Sequence, residues 1–265
     1  MDIFDIKSLL IAALVFVPLE RAFALRREQR VFRRAFLTDL TYAIVNGIPI
    51  RAGIVLIVGA AMLTVGACIP SGVRPAIAGQ PLWLQVVEVV LIADLGFYWT
   101  HRAFHAIPVL WRFHSIHHSI QELDWLAGHR VHALDQAVTK AVSLAPIVVL
   151  GYSAAAVGLF AAVYHAHALL LHSNVRVGIG PLRWAIASPQ FHHWHHAHEP
   201  AAYDKNFAGQ LSFLDALFGT FHLPGSETPE RYGIDDPVPG NYVTQMAYAF
   251  TPARRRARQD VPADA

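Results

Sequence analysis

Residues 82–105 read LWLQVVEVVLIADLGFYWTHRAFH, an apolar run that ends in two histidines. A helix of ~18 residues rises ~27 Å, which is close to the hydrocarbon thickness of a bilayer. His101 and His105 are four residues apart, so they share one helical face at the end of this run. The stretch therefore predicts a membrane-spanning helix that carries metal-ligating side chains to one membrane surface.

Four further apolar runs have a similar length, at residues 6–23, 53–69, 133–150 and 152–171. The last two are separated by little more than LGYS, which indicates a tight helical hairpin. The composition agrees, because 54% of residues are hydrophobic and only 15% are charged, whereas soluble domains are nearer one quarter charged. We expect an all-α integral membrane bundle of about four to five apolar helices with a cytosolic, histidine-rich helical cap. A large water-soluble helical core is the alternative.

The first run also raises the question of a cleaved signal peptide, because AFA at residues 22–24 resembles a cleavage site. The preceding MDIFDIK lacks the positive charge of a signal sequence, so we expect the segment to be retained. Basic residues then follow the run: Arg21, Arg26, Arg27, Arg30, Arg33 and Arg34. Such residues mark the cytoplasmic side of a span. Counting spans from there predicts that every dense histidine cluster faces the cytoplasm.

The histidines fall into three tight groups with helical spacing. HRAFH gives His101 and His105, HSIHH gives His114, His117 and His118, and HHWHH gives His192, His195 and His196. Residues three and four apart aim at one point, and neutral imidazole binds iron, zinc and copper. The chain has 16 histidines but only one cysteine, so a transition metal must be bound through nitrogen. Eight ligands suffice for two metal ions, and zinc is expected to compete with iron in isolated protein.

Two side chains precede the first histidine pair on the same helical face. Asp94 lies seven residues before His101, inside an apolar run, and Tyr98 lies between them. An ionisable residue at such depth is a functional candidate, and metal-bound histidines often donate their second N–H to a carboxylate. A simple interfacial charge is the alternative for Asp94. Asp204, Asn206 and Asp215 are interpreted as caps or surface residues.

Three stretches resemble the fatty acid hydroxylase/sterol desaturase superfamily, including its bacterial sterol desaturase family proteins. They are DLGFYWTHRAFHAIPVLWRFHSIHHS from residue 94, HSNVRVGIGPLRWAIASPQFHHWHH from residue 172, and DKNFAGQLSFLDALFGTF from residue 204. The resemblance covers roughly half the chain. It implies two iron ions that activate O₂ to hydroxylate or desaturate a C–H bond of a fatty acyl or sterol-like lipid.

The resemblance also implies particular site residues. The metal ligands implied are His101, His105, His114, His117, His118, His132, His172, His192, His195 and His196. His132 departs from the family pattern, because Ala133 stands where a proline is usual. Asp94 and Tyr98 are the candidate catalytic residues. The other histidines are interpreted as supporting or surface residues.

The sequence also indicates which electron carrier and substrates the protein would need. The chain has no dinucleotide-binding glycine motif and no cysteine cluster, so electrons are expected from a separate carrier of cytochrome or ferredoxin type. The remaining partners are a membrane lipid and O₂, and a net charge of +2 gives no reason to expect nucleic acid. We expect a bacterial inner membrane location with the metal site on the cytoplasmic side.

Other functions stay open. A histidine-rich zinc transporter, a haem protein with paired axial histidines and a metal-dependent lipid hydrolase are the alternatives. The expected organisation is N-terminal membrane helices over 1–93, a histidine-rich di-metal hydroxylase domain over 94–222 that includes the hairpin at 133–171, and a flexible tail over 223–265.

Overall fold

A computed structural model describes residues 6–225 and 227–251. Across these residues the chain is helical and has no strand beyond two isolated bridges, which confirms the all-α prediction. The helices are α1 (Ile6–Ala22), α2 (Phe36–Val45), α3 (Gly47–Thr64), α4 (Val73–Ala78), α5 (Leu82–Ala106), α6 (Pro108–His118), α7 (Ala133–Leu150), α8 (Ala154–His172), α9 (Pro189–His195), α10 (Phe213–Leu217) and α11 (Tyr242–Tyr248).

Four of these helices are long and apolar enough to cross a membrane. They are α5, α7, α8 and α3 with its short continuation to Cys68. The α3 helix begins six residues before the predicted run at 53. Pro49 lies in its first turn, where the backbone N–H has no helical partner, so the proline does not interrupt the helix. Its apolar side chains, such as Val55, Leu56 and Leu63, are largely exposed, as expected of a lipid-facing helix.

Small residues bring the apolar helices close together. The α7 helix packs against α3 and α5, and α5 also packs against α8. A Cβ at Gly53 would lie 2.6 Å from the Cβ of Ala137, and one at Gly96 would lie 3.1 Å from the Cα of Ser143. Helices in lipid associate mainly through such close packing, since hydrophobic burial gives little net drive there.

The predicted hairpin between α7 and α8 is present. Gly151 ends α7 with φ +86°, a left-handed conformation that glycine adopts without a Cβ clash. Ser153 then begins α8 by accepting a hydrogen bond from the backbone N–H of Ala156. The C-terminal end of α8 therefore returns to the membrane surface at which α7 begins.

The described part of the predicted tail is folded onto the bundle. The α11 helix packs on α2, where the Tyr42 hydroxyl donates to the side chain of the buried Gln245. Residues 252–265 of that segment, with the basic stretch near the C-terminus, lie outside the described residues.

A loop at residues 207–211 enters the bundle beside α5. Its five successive backbone N–H groups donate to two carboxylates: Asp215 accepts from Phe207 and Ala208, and Asp94 accepts from Gly209, Gln210 and Leu211. Both carboxylates are buried. Non-helical backbone at membrane depth is tolerated only where its polar groups are satisfied inside the protein. The two aspartates therefore make this loop possible.

Gly209→Ala should destabilise the protein, because the new Cβ would lie 2.9 Å from a carboxylate oxygen of Asp94 and 3.1 Å from the ring of Phe97. Displacing that carboxylate leaves buried N–H groups without acceptors, at a cost of about 1–3 kcal/mol. We expect a lower Tm for the variant in detergent. The exposed Gly178 has open space around its Cα, so Gly178→Ala should leave Tm unchanged. Equal Tm values for both variants would contradict the role given to the 207–211 loop.

Candidate metal centre

Nine buried or nearly buried imidazoles meet in two adjacent groups at the end of the bundle where α5 and α8 end. The five-histidine group consists of His101, His105, His114, His118 and His195. The four-histidine group consists of His117, His172, His192 and His196. In each group one ring nitrogen of every member lies within 4.8 Å of the others. The groups touch through the rings of His118 and His196, whose centroids are 4.7 Å apart.

The helical spacing in the sequence explains the convergence. The α5 helix supplies His101 and His105 near its end, and α6 supplies histidines to both groups from its last turn. Ser188 caps α9 by accepting the N–H of Phe191, and this starts the helix that aligns His192 with His195. The sequence interpretation placed eight of these nine histidines in tight motifs, and the resemblance added His172.

Most of these rings are held by a hydrogen bond from Nδ1, the ring nitrogen that points away from the group. The Nδ1 atoms of His101, His117, His172 and His195 donate to backbone carbonyl oxygens of Phe207, Arg130, Ala168 and Lys205, over 2.8–3.0 Å. A carbonyl only accepts hydrogen bonds, so each Nδ1 carries the proton and each Nε2 presents a lone pair to the group. Metal-bound histidines have this arrangement.

Two carboxylates hold further rings of the five-histidine group. Asp135, in the first turn of α7, accepts from Nδ1 of His114 at 2.8 Å, and both side chains are buried. Asp204 lies 3.2 Å from Nδ1 of His105 but its side chain is 73% exposed. A buried carboxylate raises the basicity of the ring more than a solvated one, so Asp135 is the stronger partner.

The segment at residues 204–207 orients three rings of the five-histidine group at once. The side chain of Asp204 and the carbonyl groups of Lys205 and Phe207 are the acceptors. Asp204 and Asn206 have φ values of 56° and 59°, in the left-handed region that Asn and Asp tolerate best among non-glycine residues. Asn206 is fully buried and ties the segment to the backbone of Phe191 and His222. The interpretation of Asn206 and Asp215 as cap or surface residues is therefore wrong.

The four-histidine group is supported by a buried ion network. Arg130, whose carbonyl accepts from His117, donates to both carboxylate oxygens of Asp39. Arg33 pairs with Asp39 and with Asp124, and its side chain is fully buried. Buried charges persist only when they are paired and hydrogen-bonded. Arg33, counted in the sequence as a loop charge, instead fixes the backbone that orients His117.

Burial lowers the pKa of several imidazoles in the two groups. Desolvation, followed by repulsion from neighbouring imidazoles, holds the pKa of His117, His118 and His196 well below the usual value. Burial likewise lowers the pKa of His195 to about 3. These rings therefore carry no charge at pH 7, and their lone pairs are available to a metal cation.

The ring nitrogens that face the interior of each group are better placed to bind metal ions than to hydrogen-bond to one another. In the described structure, Nε2 of His105, His118 and His195 are buried without a hydrogen-bond partner. In the four-histidine group, Nε2 of His192 lies 2.9 Å from that of His172 and 3.1 Å from that of His196. Such contacts place lone pairs against one another unless a cation or proton lies between them. The donor set therefore fits two nitrogen-bound transition-metal ions.

Three predicted site residues lie apart from both groups. The carboxylate of Asp94 contacts the backbone of the 207–211 loop rather than an imidazole. The Tyr98 hydroxyl bonds to Thr220, which donates to Asp215. His132 caps α7 by accepting the N–H of Leu134, and its other ring nitrogen lies 3.3 Å from the carbonyl oxygen of Met246.

The remaining histidines also lie outside the two groups. His193 is buried, with Nε2 3.1 Å from the carbonyl oxygen of Ser173 and Nδ1 3.0 Å from the hydroxyl of Tyr232. His198 contacts Arg231 and Asp235 at the protein surface. Their spacing in the HHWHHAH motif resembles that of ligands, but their rings point away from the centre.

A cavity of about 100 Å³ adjoins both groups. His101 and His114 of the five-histidine group and His117, His172 and His192 of the four-histidine group line one end of it. The apolar helices α3, α7 and α8 supply much of the remaining wall, including Ile50, Thr139 and Leu169. The cavity therefore links the membrane-spanning helices to the convergent nitrogens.

Known proteins that are similar to this chain include a lipid hydroxylase and monooxygenases. The chain is 33% identical over 181 residues to the ornithine lipid hydroxylase OlsE of Rhizobium tropici, covering 68% of this chain and 54% of the relative. It is 30% identical over 177 residues to alkylglycerol monooxygenase of Danio rerio, covering 64% and 36%. The human alkylglycerol monooxygenase is 31% identical over 147 residues, covering 55% and 32%.

The chain thus spans about half or less of the length of these curated relatives. No solved structure matches it. The family model for fatty acid hydroxylases matches residues 86–220, about half of the 265-residue chain, and this region holds every histidine of both groups. The chain therefore belongs to the fatty acid hydroxylase family.

Proposed function

We propose that this protein is a membrane-embedded di-iron oxygenase that hydroxylates an acyl lipid. The observation that carries the proposal is the convergence of nine mostly buried imidazoles in two groups beside a cavity walled by apolar helices. Relatives named as a lipid hydroxylase and as monooxygenases favour hydroxylation over desaturation. The reaction inserts one oxygen atom of O₂ into a C–H bond, releases the other as water, and consumes two electrons and two protons.

The five-histidine group would hold one iron and the four-histidine group the other, and bound iron would supply the O₂ chemistry. The chain's own residues do the positioning. Carbonyl groups and Asp135 keep the outward nitrogens protonated, and the 204–207 segment fixes the rings. We propose Asp94 and Tyr98 as positioning residues, because both secure the 207–211 loop whose Phe207 carbonyl orients His101.

Two other functions suit these observations less well. A zinc transporter would need polar groups distributed along a route through the spans, whereas the nine imidazoles lie together at one end of them. A metal-dependent lipid hydrolase would use similar ligands without O₂. Electrons for the oxygenase are expected from a separate cytochrome or ferredoxin type carrier.

We expect His117→Ala and His195→Ala each to lower metal content and to abolish hydroxylation, because each removes one lone pair from a buried group. Metal content is measured by mass spectrometry of the purified full chain. Turnover is measured as oxygenated lipid in membranes of cells with and without each variant. His198→Ala is the matched control, since His198 lies outside both groups.

Equal loss in all three variants would contradict the ligand assignment. Lipid turnover that continues without O₂ and reductant would instead favour the hydrolase. Zinc-loaded protein should give no oxygenated lipid, because zinc does not change oxidation state.

Asp135→Asn should weaken metal binding or turnover by about 10–100-fold while the fold persists, because an amide supports the ring of His114 less strongly than a carboxylate. Iron affinity is measured by titrating metal-depleted protein. Asp235→Asn removes an exposed carboxylate that pairs with His198, so it should bind iron as the wild type does. Equal affinities for both variants would refute the proposed role of Asp135.

We also propose that the metal centre faces the cytoplasm of a bacterial inner membrane. The single cysteine, Cys68, is exposed and ends the α3 span, whose first residue lies at the histidine end. A membrane-impermeant maleimide should therefore label Cys68 in intact spheroplasts. In the Cys68→Ser, Ala201→Cys double variant, labelling should require permeabilisation, because exposed residue 201 follows α9 at the histidine end. The reverse pattern would place the centre outside.

A further inference from the structure

Three basic side chains line the cavity without belonging to either histidine group: Lys140, His165 and His129. Lys140 lies on α7 and His165 on α8, both of which are candidate membrane spans. An ionisable residue inside a membrane span is costly to place there, so its presence points to a function.

Lys140 and His165 lie at about the same depth. Lys140 is seven residues from the start of α7 at Ala133, and His165 is seven residues before His172 at the end of α8. At 1.5 Å per residue, each Cα is roughly 10 Å along its helix from the histidine end. Because α7 and α8 form a tight hairpin, both side chains stand on the membrane side of the metal groups.

The three side chains form one cluster in the cavity wall, where Lys140 lies close enough for its charge to act on the rings of both His129 and His165. The Lys140 ammonium lies 5.6 Å from the ring centroid of Tyr164, and the rings of His165 and His129 are 6.1 Å apart. Nε2 of His129 is buried and has no hydrogen-bond partner within the described residues. Hydrogen-bond donors and positive charge are therefore concentrated at one point of a cavity whose other walls include Ile50, Ala168 and Leu169.

A third metal ion does not suit this cluster, because an ammonium group has no lone pair and repels a cation. An oxygen with negative charge or free lone pairs does suit it. A carboxylate or an acyl carbonyl would accept from the ammonium and from imidazole N–H, and a charge-assisted bond of this kind is roughly twice as strong as a neutral one.

We propose that Lys140, with His129 and His165 beside it, binds an acceptor oxygen of the lipid substrate, either a carboxylate or an acyl carbonyl. This inference rests on the proposed lipid hydroxylase function and narrows its substrate class. The substrate then carries an oxygen function that reaches this cluster while another part of the same molecule lies at the histidine groups, so the enzyme discriminates against plain hydrocarbon chains.

The test measures binding rather than turnover. The full chain, loaded with zinc so that no reaction occurs, is titrated in detergent with palmitate, methyl palmitate or hexadecane, and bound probe is counted by native mass spectrometry. Wild-type protein should bind palmitate more tightly than hexadecane. Lys140→Met should bind palmitate at least tenfold more weakly, with hexadecane binding and metal content unchanged. Lys140→Arg keeps the charge and should retain palmitate binding.

Lys7→Met is the matched control, because Lys7 is exposed on α1 away from the cavity, and it should behave as the wild type. A parallel loss of methyl palmitate in Lys140→Met identifies an acyl carbonyl as sufficient, whereas loss of palmitate alone identifies a carboxylate. Unchanged palmitate binding, or equal weakening of hexadecane, overturns the inference. Failure to find O₂-dependent hydroxylation would overturn the proposed function but would leave this binding result standing.

Discussion

The structure of the candidate metal centre depends on one interaction, the hydrogen bond that six of its nine rings donate outward through Nδ1. Carbonyl groups and carboxylates that accept this proton leave Nε2 unprotonated and turned inward. Without them, rotation or tautomer exchange of each imidazole would scatter the nine lone pairs. Much of the cap is arranged to supply these acceptors, from the strained segment at 204–207 to the ion network around Arg130.

The second constraint is the need to satisfy backbone groups at membrane depth. Asp94 and Asp215 divide five consecutive N–H groups between them, and this lets a non-helical loop lie beside α5. The same loop presents the Phe207 carbonyl to His101. Protein stability and ligand orientation therefore depend on the same two carboxylates, which links the packing of the spans to the geometry of the histidines.

The sequence predicts the site well where the information is local. Helical spacing of three and four residues identifies eight of the nine histidines, because side chains at that spacing share a face. The supporting partners are not local. Asp135 follows His114 by 21 positions, Asp204 follows His105 by 99, and Asn206 holds its loop through residues 15 and 16 positions away. His132 shows the converse, since motif resemblance suggested a ligand while its ring caps a helix. Four of the five apolar runs correspond to the candidate spans, whereas the first forms α1, a 17-residue helix that is not among them. The α2 and α4 helices are too short to show as membrane-length runs.

The segment at 204–207 has a consequence for biogenesis. Residues 101–105 are synthesised long before residues 204–207, so the rings of His101 and His105 lack their outward acceptors until this segment is made. Three of the five rings in one group acquire their orientation only after this late segment docks and Asn206 ties it to residues 191 and 222. A metal ion is therefore expected to bind after synthesis of residues 86–220 is complete, when the spans of the chain are already inserted.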